Sequence, residues 1–224
     1  MNQLSPARQR PAASAPVIPP AADSAKRVII VGLALTTTMV TLLAASQLIN
    51  YGVFDLRLRA FDADHHSSVF GVASLLAQAA AAAAIAWRGS RVERHRWAWF
   101  ALGALVAGLV LVRAFVTYNT KTVAVPLACV FCLLCWLTWR EPRAARTVVW
   151  AALILMVTSL LLHQVGLDAD VLNYSNQSWA YQITVVAKHG CELAGWMLLT
   201  TGIIAGSKDR LAPEVTPVHV AVRS

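Results

Sequence analysis

The residues best suited to chemistry lie near the C-terminus, inside an otherwise apolar stretch. Lys188, His189 and Glu192 place three ionisable side chains within little more than one helical turn. At about 100° per residue, Glu192 lies roughly 40° and His189 roughly 100° from Lys188, and Gln182 falls in the same sector. The spacing predicts one polar face on the last helix. Ionisable side chains inside a membrane usually pair with each other or line a functional cavity.

Three interpretations of this polar face stay open. Lys188 and Glu192, four residues apart, can form a structural ion pair. The face can instead line a site for a ligand, an ion or a proton, or its long side chains can reach the membrane surface. Gln47, Asn50, Arg113 and His163 end other apolar segments on the same predicted side. The sequence therefore predicts a ligand or ion site drawn from Lys188, His189, Glu192, Gln182, Arg113 and His163, with no catalytic residue among them.

A weaker group of candidate metal ligands follows the first apolar segment. It consists of Asp62, Asp64, His65 and His66. Carboxylates and imidazoles bind zinc and other divalent ions, and bound zinc would activate water. However, the spacing matches no known ligand pattern, and such loop side chains are commonly just solvated. A metal site stays a hypothesis here, and no cofactor is identified.

The elements that must position these residues are long apolar blocks. Hydrophobic residues make up 58% of the 224 residues and charged residues 13%, which is typical of a membrane protein. Crossing a hydrocarbon layer takes roughly 20 apolar residues in a helix. Six blocks approach that length: Val28 to Gln47, Val69 to Trp87, Trp97 to Val116, Thr122 to Trp139, Thr147 to Leu162, and about Ser178 to Gly206. We predict an all-α, polytopic bundle of about six transmembrane helices.

The positions of the charges predict the orientation of the bundle. The net charge is +8, and most of the basic residues fall in the tails and in the second and fourth connections. Because Lys and Arg in short loops stay in the cytoplasm, both termini are predicted to be cytoplasmic. This distribution favours an inner or plasma membrane and excludes nucleic acid as the partner. Trp87, Trp97, Trp99, Trp136 and Trp139 fall at the predicted cytoplasmic helix ends, as an interfacial belt would place them.

The apolar blocks divide the chain into three parts. Residues 1–26 are rich in Pro, Ala and Ser and are predicted to be a disordered cytoplasmic tail. Residues 27–206 form the six-helix domain, and residues 207–224 form a second such tail. A cleaved signal peptide is the alternative for the first helix, but its apolar run exceeds a signal core.

Small residues predict where helices pack closely. Gly195, Gly202 and neighbouring small residues lie on the last helix opposite its polar face. In the second helix, Ala79 to Ala84 let a neighbouring helix pack very closely. Ser74 and Gln78 share a face of that second helix and are assigned to packing. In the fourth helix, Cys129, Cys132 and Cys135 form one stripe, which fits either packing or binding of a soft metal. The alternation from Phe54 to Phe61 fits a surface segment or a short strand.

The motif Lys188-His189-Gly190-Cys191-Glu192-Leu193-Ala194-Gly195 resembles the last helix of a loose group of uncharacterised six-helix bacterial membrane proteins. In that group the helix often reads Glu-Glu-x-x-Glu-x-x-Gly. The resemblance covers about Arg27 to Gly206 and implies a similar helical layout. Lys188 and His189 replace the paired acids, and the group implies no activity.

Three classes of function are compatible with this sequence. The first is a membrane protein that binds or moves a small molecule or ion through the polar face. The second is an accessory subunit, bound in the bilayer to other membrane subunits or to a second copy. The third is a metal-dependent membrane enzyme, although the chain has no Walker, GxSxG, HExxH or dinucleotide motif.

Overall fold

The computed structural model describes residues 21–63, 68–115, 120–171 and 178–209. Within these ranges all regular structure is helical, which confirms the all-α class. The helices are α1 Ala21–Phe54, α2 Val69–Arg91, α3 Arg96–Phe115, α4 Thr120–Thr138, α5 Arg143–Val171 and α6 Trp179–Asp209, with a 3-10 turn at Arg59–Phe61. The predicted blocks match these helices one to one. However, α1 begins before and ends after its apolar run.

The connection between α1 and α2 is built by side chains of α1. Asp55 and Leu56 adopt left-handed backbone angles, and the Leu56 N–H donates to the Asn50 carbonyl, which ends the helix. The Asn50 side chain then accepts from the Leu58 N–H and donates to the Leu58 carbonyl, at 3.1 and 3.0 Å. Ser68 caps the start of α2 by accepting from the Gly71 N–H at 3.1 Å. The alternative prediction of a strand in this segment is wrong, because the chain turns here instead.

Helix α6 lies at the centre of the bundle and packs closely on α5. A Cβ at Gly195 would lie 2.6 Å from Met156 Cγ, and one at Gly202 would lie 2.7 Å from Val149 Cγ2. Both distances are too short for a side chain, so only glycine allows this approach. The predicted small-residue face of α6 is therefore confirmed, and α5 is the helix that occupies it. The two helices run antiparallel.

The alanine-rich part of α2 packs on α3. Gly103 of α3 lies against Ala82 and Ala86, with its Cβ position 3.5 to 3.6 Å from their backbone atoms. Ala81 and Ile85 are fully buried in the same apolar core. This close contact confirms the prediction from the alanine run. It also fixes the antiparallel register of α2 and α3.

One end of the bundle carries the arginine-rich connections. Ala25 of α1, Ala145 of α5 and Ala205 of α6 form a small buried cluster there. The α2–α3 and α4–α5 connections, at 92–95 and 139–142, lie at the same end, since Arg88 of α2 contacts Glu141. We call this end the arginine-rich end. The α1–α2 connection and the start of α6 lie at the opposite end.

The outside of the bundle is apolar. Large hydrophobic side chains such as Leu76, Phe115 and Ile154 are more than half exposed. Water disfavours apolar patches of this extent, whereas lipid does not. Four described helical segments are long and apolar enough to cross a membrane: Asp23–Phe54, Val69–Arg91, Arg96–Phe115 and Arg143–His163. The described apolar part of α4, Val125–Thr138, is shorter.

The cysteine stripe of α4 lies on the outside of the bundle. Cys129, Cys132 and Cys135 are all exposed, and Cys191 of α6 is partly exposed. The stripe itself follows the predicted helical spacing. Packing inside this chain does not explain these three residues, because their side chains point away from the other helices.

Candidate functional site

Charged side chains from two helices meet in the half of the bundle away from the arginine-rich end. Arg113 near the end of α3 forms an ion pair with Glu192 of α6, with Nη1 on Oε1 and Nη2 on Oε2. His189 Nδ1 lies 3.7 Å from Glu192 Oε2. The three side chains are between 14% and 23% exposed. The structure thus joins three of the six predicted residues into one cluster, which we call the Glu192 cluster.

Ser74 of α2 lies at the same level of the bundle, and Gln78 lies one helical turn closer to the arginine-rich end. Gly103 of α3 packs against Ala82 and Ala86 of α2, and the two helices run antiparallel. Arg113 lies about 15 Å beyond Gly103 along α3. The residue of α2 at the level of Arg113 is therefore Ser74, about 15 Å before the contact with Gly103. On the α6 side, the Phe70 ring lies 6.1 Å from the His189 ring. Because α2 and α6 run parallel, Ser74 then falls level with residue 193.

Ser74 and Gln78 continue the buried face of α2 that begins at Phe70. Their side chains are 0% and 4% exposed. Within the described residues, neither Ser74 Oγ nor Gln78 Oε1 has a hydrogen-bond partner. A buried polar group without a partner costs about 1 to 3 kcal/mol. Such groups usually indicate a bound water, ion or ligand.

For Ser74 and Gln78, which it placed on one face, the sequence favoured packing over chemistry. The sequence did not predict that one oxygen of each buried side chain has no hydrogen-bond partner among the described residues. The available signal was their position beside the alanine run, which brings a neighbouring helix very close. Burying a polar oxygen in such a tight contact costs free energy unless the oxygen finds a hydrogen-bond partner.

Gln182 lies in a different hydrogen-bond network from the Glu192 cluster. Gln47 Nε2 donates to Gln182 Oε1 at 2.7 Å, and Gln47 Oε1 accepts from the Ala63 N–H at 2.9 Å. Both glutamine side chains are almost fully buried. This network joins α1, α6 and the α1–α2 connection. Gln182 therefore stabilises the fold around the site, and Tyr51 stacks edge-on against Trp179 beside it at 4.6 Å.

The other candidate residues fall around these two groups. Lys188 is partly buried, one residue before His189 in α6, and His163 is partly buried at the end of the membrane-length segment of α5. Among the metal candidates, Asp62 directly follows the 3-10 turn, whereas Asp64, His65 and His66 lie outside the described residues. Of the side chains that are described, no three His, Cys, Asp or Glu come together as a metal site would require.

A second buried ion pair lies at the arginine-rich end. Arg88 Nη2 donates to both carboxylate oxygens of Glu141, at 2.8 and 3.0 Å. The side chains are 3% and 8% exposed, and the Trp99 ring lies 5.9 Å from the guanidinium. The prediction that Trp99 belongs to an interfacial belt is therefore wrong, because Trp99 is buried against Arg88. The sequence pattern treated Arg88 and Glu141 only as loop charges.

The fold defines the class of the protein as an all-helical bundle, in which four described helical segments are long and apolar enough to span a membrane. Comparison with protein-family models, curated proteins and solved structures gave no match. The interpretation of the site therefore depends on its own geometry.

Proposed function

We propose that this protein is a multi-pass membrane protein that binds or moves a small polar molecule or ion through the Glu192 cluster. Under this proposal the chain crosses the membrane six times, and both termini lie in the cytoplasm. The membrane is the inner or plasma membrane of the cell. Its support is that α1 begins, α6 ends and both arginine-rich connections lie at one end of the bundle. Positively charged connections stay on the cytoplasmic side.

The observation that carries the proposal is a pair of buried α2 oxygens that have no hydrogen-bond partner among the described residues. The Arg113–Glu192 ion pair alone fits a structural role, because each charge satisfies the other. Ser74 Oγ and Gln78 Oε1 are not satisfied by the described protein atoms. Ser74 lies at the level of that ion pair, and Gln78 lies one helical turn closer to the arginine-rich end. A hydrogen-bonding solute or ion between α2 and α6 would supply the missing partners. Glu192 and His189 would then hold or exchange a proton beside it.

Flux through reconstituted vesicles tests this proposal. Vesicles with a trapped pH-sensitive dye report proton movement under an imposed potential. Vesicles with a sodium-sensitive or potassium-sensitive dye report the movement of those two ions. Native mass spectrometry of the purified protein detects a small solute that is bound but not moved. We expect Glu192→Gln, Lys188→Met and Gln78→Leu to reduce the wild-type flux or bound solute to the level of empty vesicles.

Gln78→Leu separates a ligand site from a structural one. Removing an unsatisfied buried oxygen is expected to leave thermal stability unchanged or to raise it, while function is lost. Thr184→Val is the matched control, because Thr184 is a partly exposed α6 residue whose hydroxyl donates to the Ala180 carbonyl. Wild-type flux and binding in both Glu192→Gln and Gln78→Leu would contradict the proposal. The same holds if the wild type neither moves the three ions nor retains a solute.

A further inference from the structure

A long groove lies between α1 and α2, with α6 as its floor. Its volume is about 1080 Å³. The groove exists because α1 packs along α6 but stands away from α2. Gly32 lies directly on Thr201, where an added Cβ would clash with that side chain, so α1 and α6 touch closely at this point. The wall of α2 consists of Val69, Val72, Ala73, Leu76, Ala77 and Ala80.

The charged residues of the groove all lie at its arginine-rich end. Arg27 of α1 and Lys208 of α6 line this end together with Asp23, and all three are exposed. Two positive charges and one negative charge leave a net positive charge. The remaining lining is apolar apart from Ser24, Thr200 and Thr201. One end of the groove therefore suits an anion, and the rest suits a hydrocarbon chain.

The groove is longer than the hydrocarbon part of one bilayer leaflet is deep. Along α6 the lining runs from Lys208 to Leu193, which is about 22 Å at the helical rise. Half of a hydrocarbon core of about 30 Å is about 15 Å. An acyl chain anchored by a headgroup at Lys208 would therefore fit along the groove within its own leaflet.

We propose that this groove binds an anionic phospholipid, with the phosphate between Arg27 and Lys208 and an acyl chain along α6. A transmembrane helix of a partner would fill the same space without needing the basic end. The anionic lipid is favoured because the charge at the mouth and the apolar length occur together. The site is separate from the Glu192 cluster, so lipid retention and ion flux can fail independently.

Native mass spectrometry after extraction from mixed vesicles tests the proposal. The vesicles contain phosphatidylglycerol and phosphatidylcholine in equal amounts, and the full-length protein is extracted with a mild detergent. We expect preferential retention of one phosphatidylglycerol. Each of Arg27→Gln and Lys208→Gln should lower that retention about fivefold, the effect of about 1 kcal/mol for a basic side chain near an anionic surface. Arg94→Gln, an exposed arginine at the same end and outside the groove, should leave it unchanged.

A second pair of variants tests the apolar part without touching any charge. Ala80→Trp fills the groove from α2, whereas Ala79→Trp places the same ring on an exposed neighbour outside the lining. We expect Ala80→Trp to release the lipid and Ala79→Trp to keep it. Equal retention of both lipids by the wild type would overturn the proposal, as would equal losses in Arg94→Gln and Arg27→Gln. A dimer without retained lipid would overturn it too, since a second copy would then occupy the groove.

Discussion

At the scale of single residues, the two ion pairs differ in how deeply they are buried and in what surrounds them. Arg88 and Glu141 are almost fully buried, and the Trp99 ring lies over the guanidinium. Arg113 and Glu192 are partly exposed, and His189 lies beside them. Nearby on α2, one oxygen each of Ser74 and Gln78 has no hydrogen-bond partner among the described residues. The Arg88–Glu141 pair fits a structural role, since it ties α2 to the loop between α4 and α5. The second has the features of a site.

The Arg88–Glu141 pair gives a stability prediction. Glu141→Gln removes one charge and leaves Arg88 buried without its partner, which costs about 3 to 5 kcal/mol for a buried pair. We expect a clear fall in the midpoint of thermal unfolding in detergent. Replacing both residues by Leu should recover much of the loss, because no charge is then buried alone.

Glu93→Gln is the control for this prediction. Glu93 is an exposed acid in the α2–α3 connection, at the same end of the bundle. Its loss should leave the midpoint almost unchanged, since exposed charges contribute little to stability. If Glu141→Gln were as mild as Glu93→Gln, the pair would not stabilise the fold.

At the scale of helices, glycine positions determine how closely α5 and α6 approach. Gly202→Ala would place a Cβ 2.7 Å from Val149 Cγ2 and 3.2 Å from the Ala145 carbonyl oxygen. Because the second neighbour is backbone, α5 itself must move. We expect a loss of about 1 to 3 kcal/mol, typical of overpacking, measured as a lower unfolding midpoint.

Gly108→Ala is the same kind of substitution, but we expect it to raise the stability and not to lower it. Nothing lies within 4 Å of a Cβ at Gly108 in α3. Ala is favoured over Gly inside a helix by about 1 kcal/mol, so this variant should gain stability. A loss of stability in Gly108→Ala equal to that in Gly202→Ala would mean that helix packing is not the cause.

The helices themselves were predictable, and the contacts between them only partly so. Long apolar runs identify helices because each helix satisfies its own backbone, and the small face of α6 predicts a close neighbour. A helical wheel orders residues within α6, but it carries no register between helices. It could offer Lys188 as a partner for Glu192, whereas the structure pairs Glu192 with Arg113. The Gln47–Gln182 bond and the Arg88–Glu141 pair depend on register in the same way.

At the scale of the whole molecule, the distribution of arginine is the strongest asymmetry. The contacts of Ala25, Ala145 and Ala205 bring the start of α1, the start of α5 and the end of α6 together. Arg88 and Glu141 add the two arginine-rich connections to that end. In a bilayer, all of these segments would therefore share one aqueous compartment. Under the proposed orientation, that compartment is the cytoplasm.

Cysteine labelling in whole cells tests this orientation. The starting variant has Ala in place of the four native cysteines, Cys129, Cys132, Cys135 and Cys191. A single cysteine is then introduced as either Glu93→Cys or Arg57→Cys. Both positions are exposed, one in the α2–α3 connection and one in the α1–α2 connection. We expect a maleimide that cannot cross membranes to label Arg57→Cys in intact cells and Glu93→Cys only after permeabilisation. The opposite pattern would mean an inverted orientation and would put the groove's basic end outside. Labelling of both in intact cells would contradict a bundle that crosses the membrane between them.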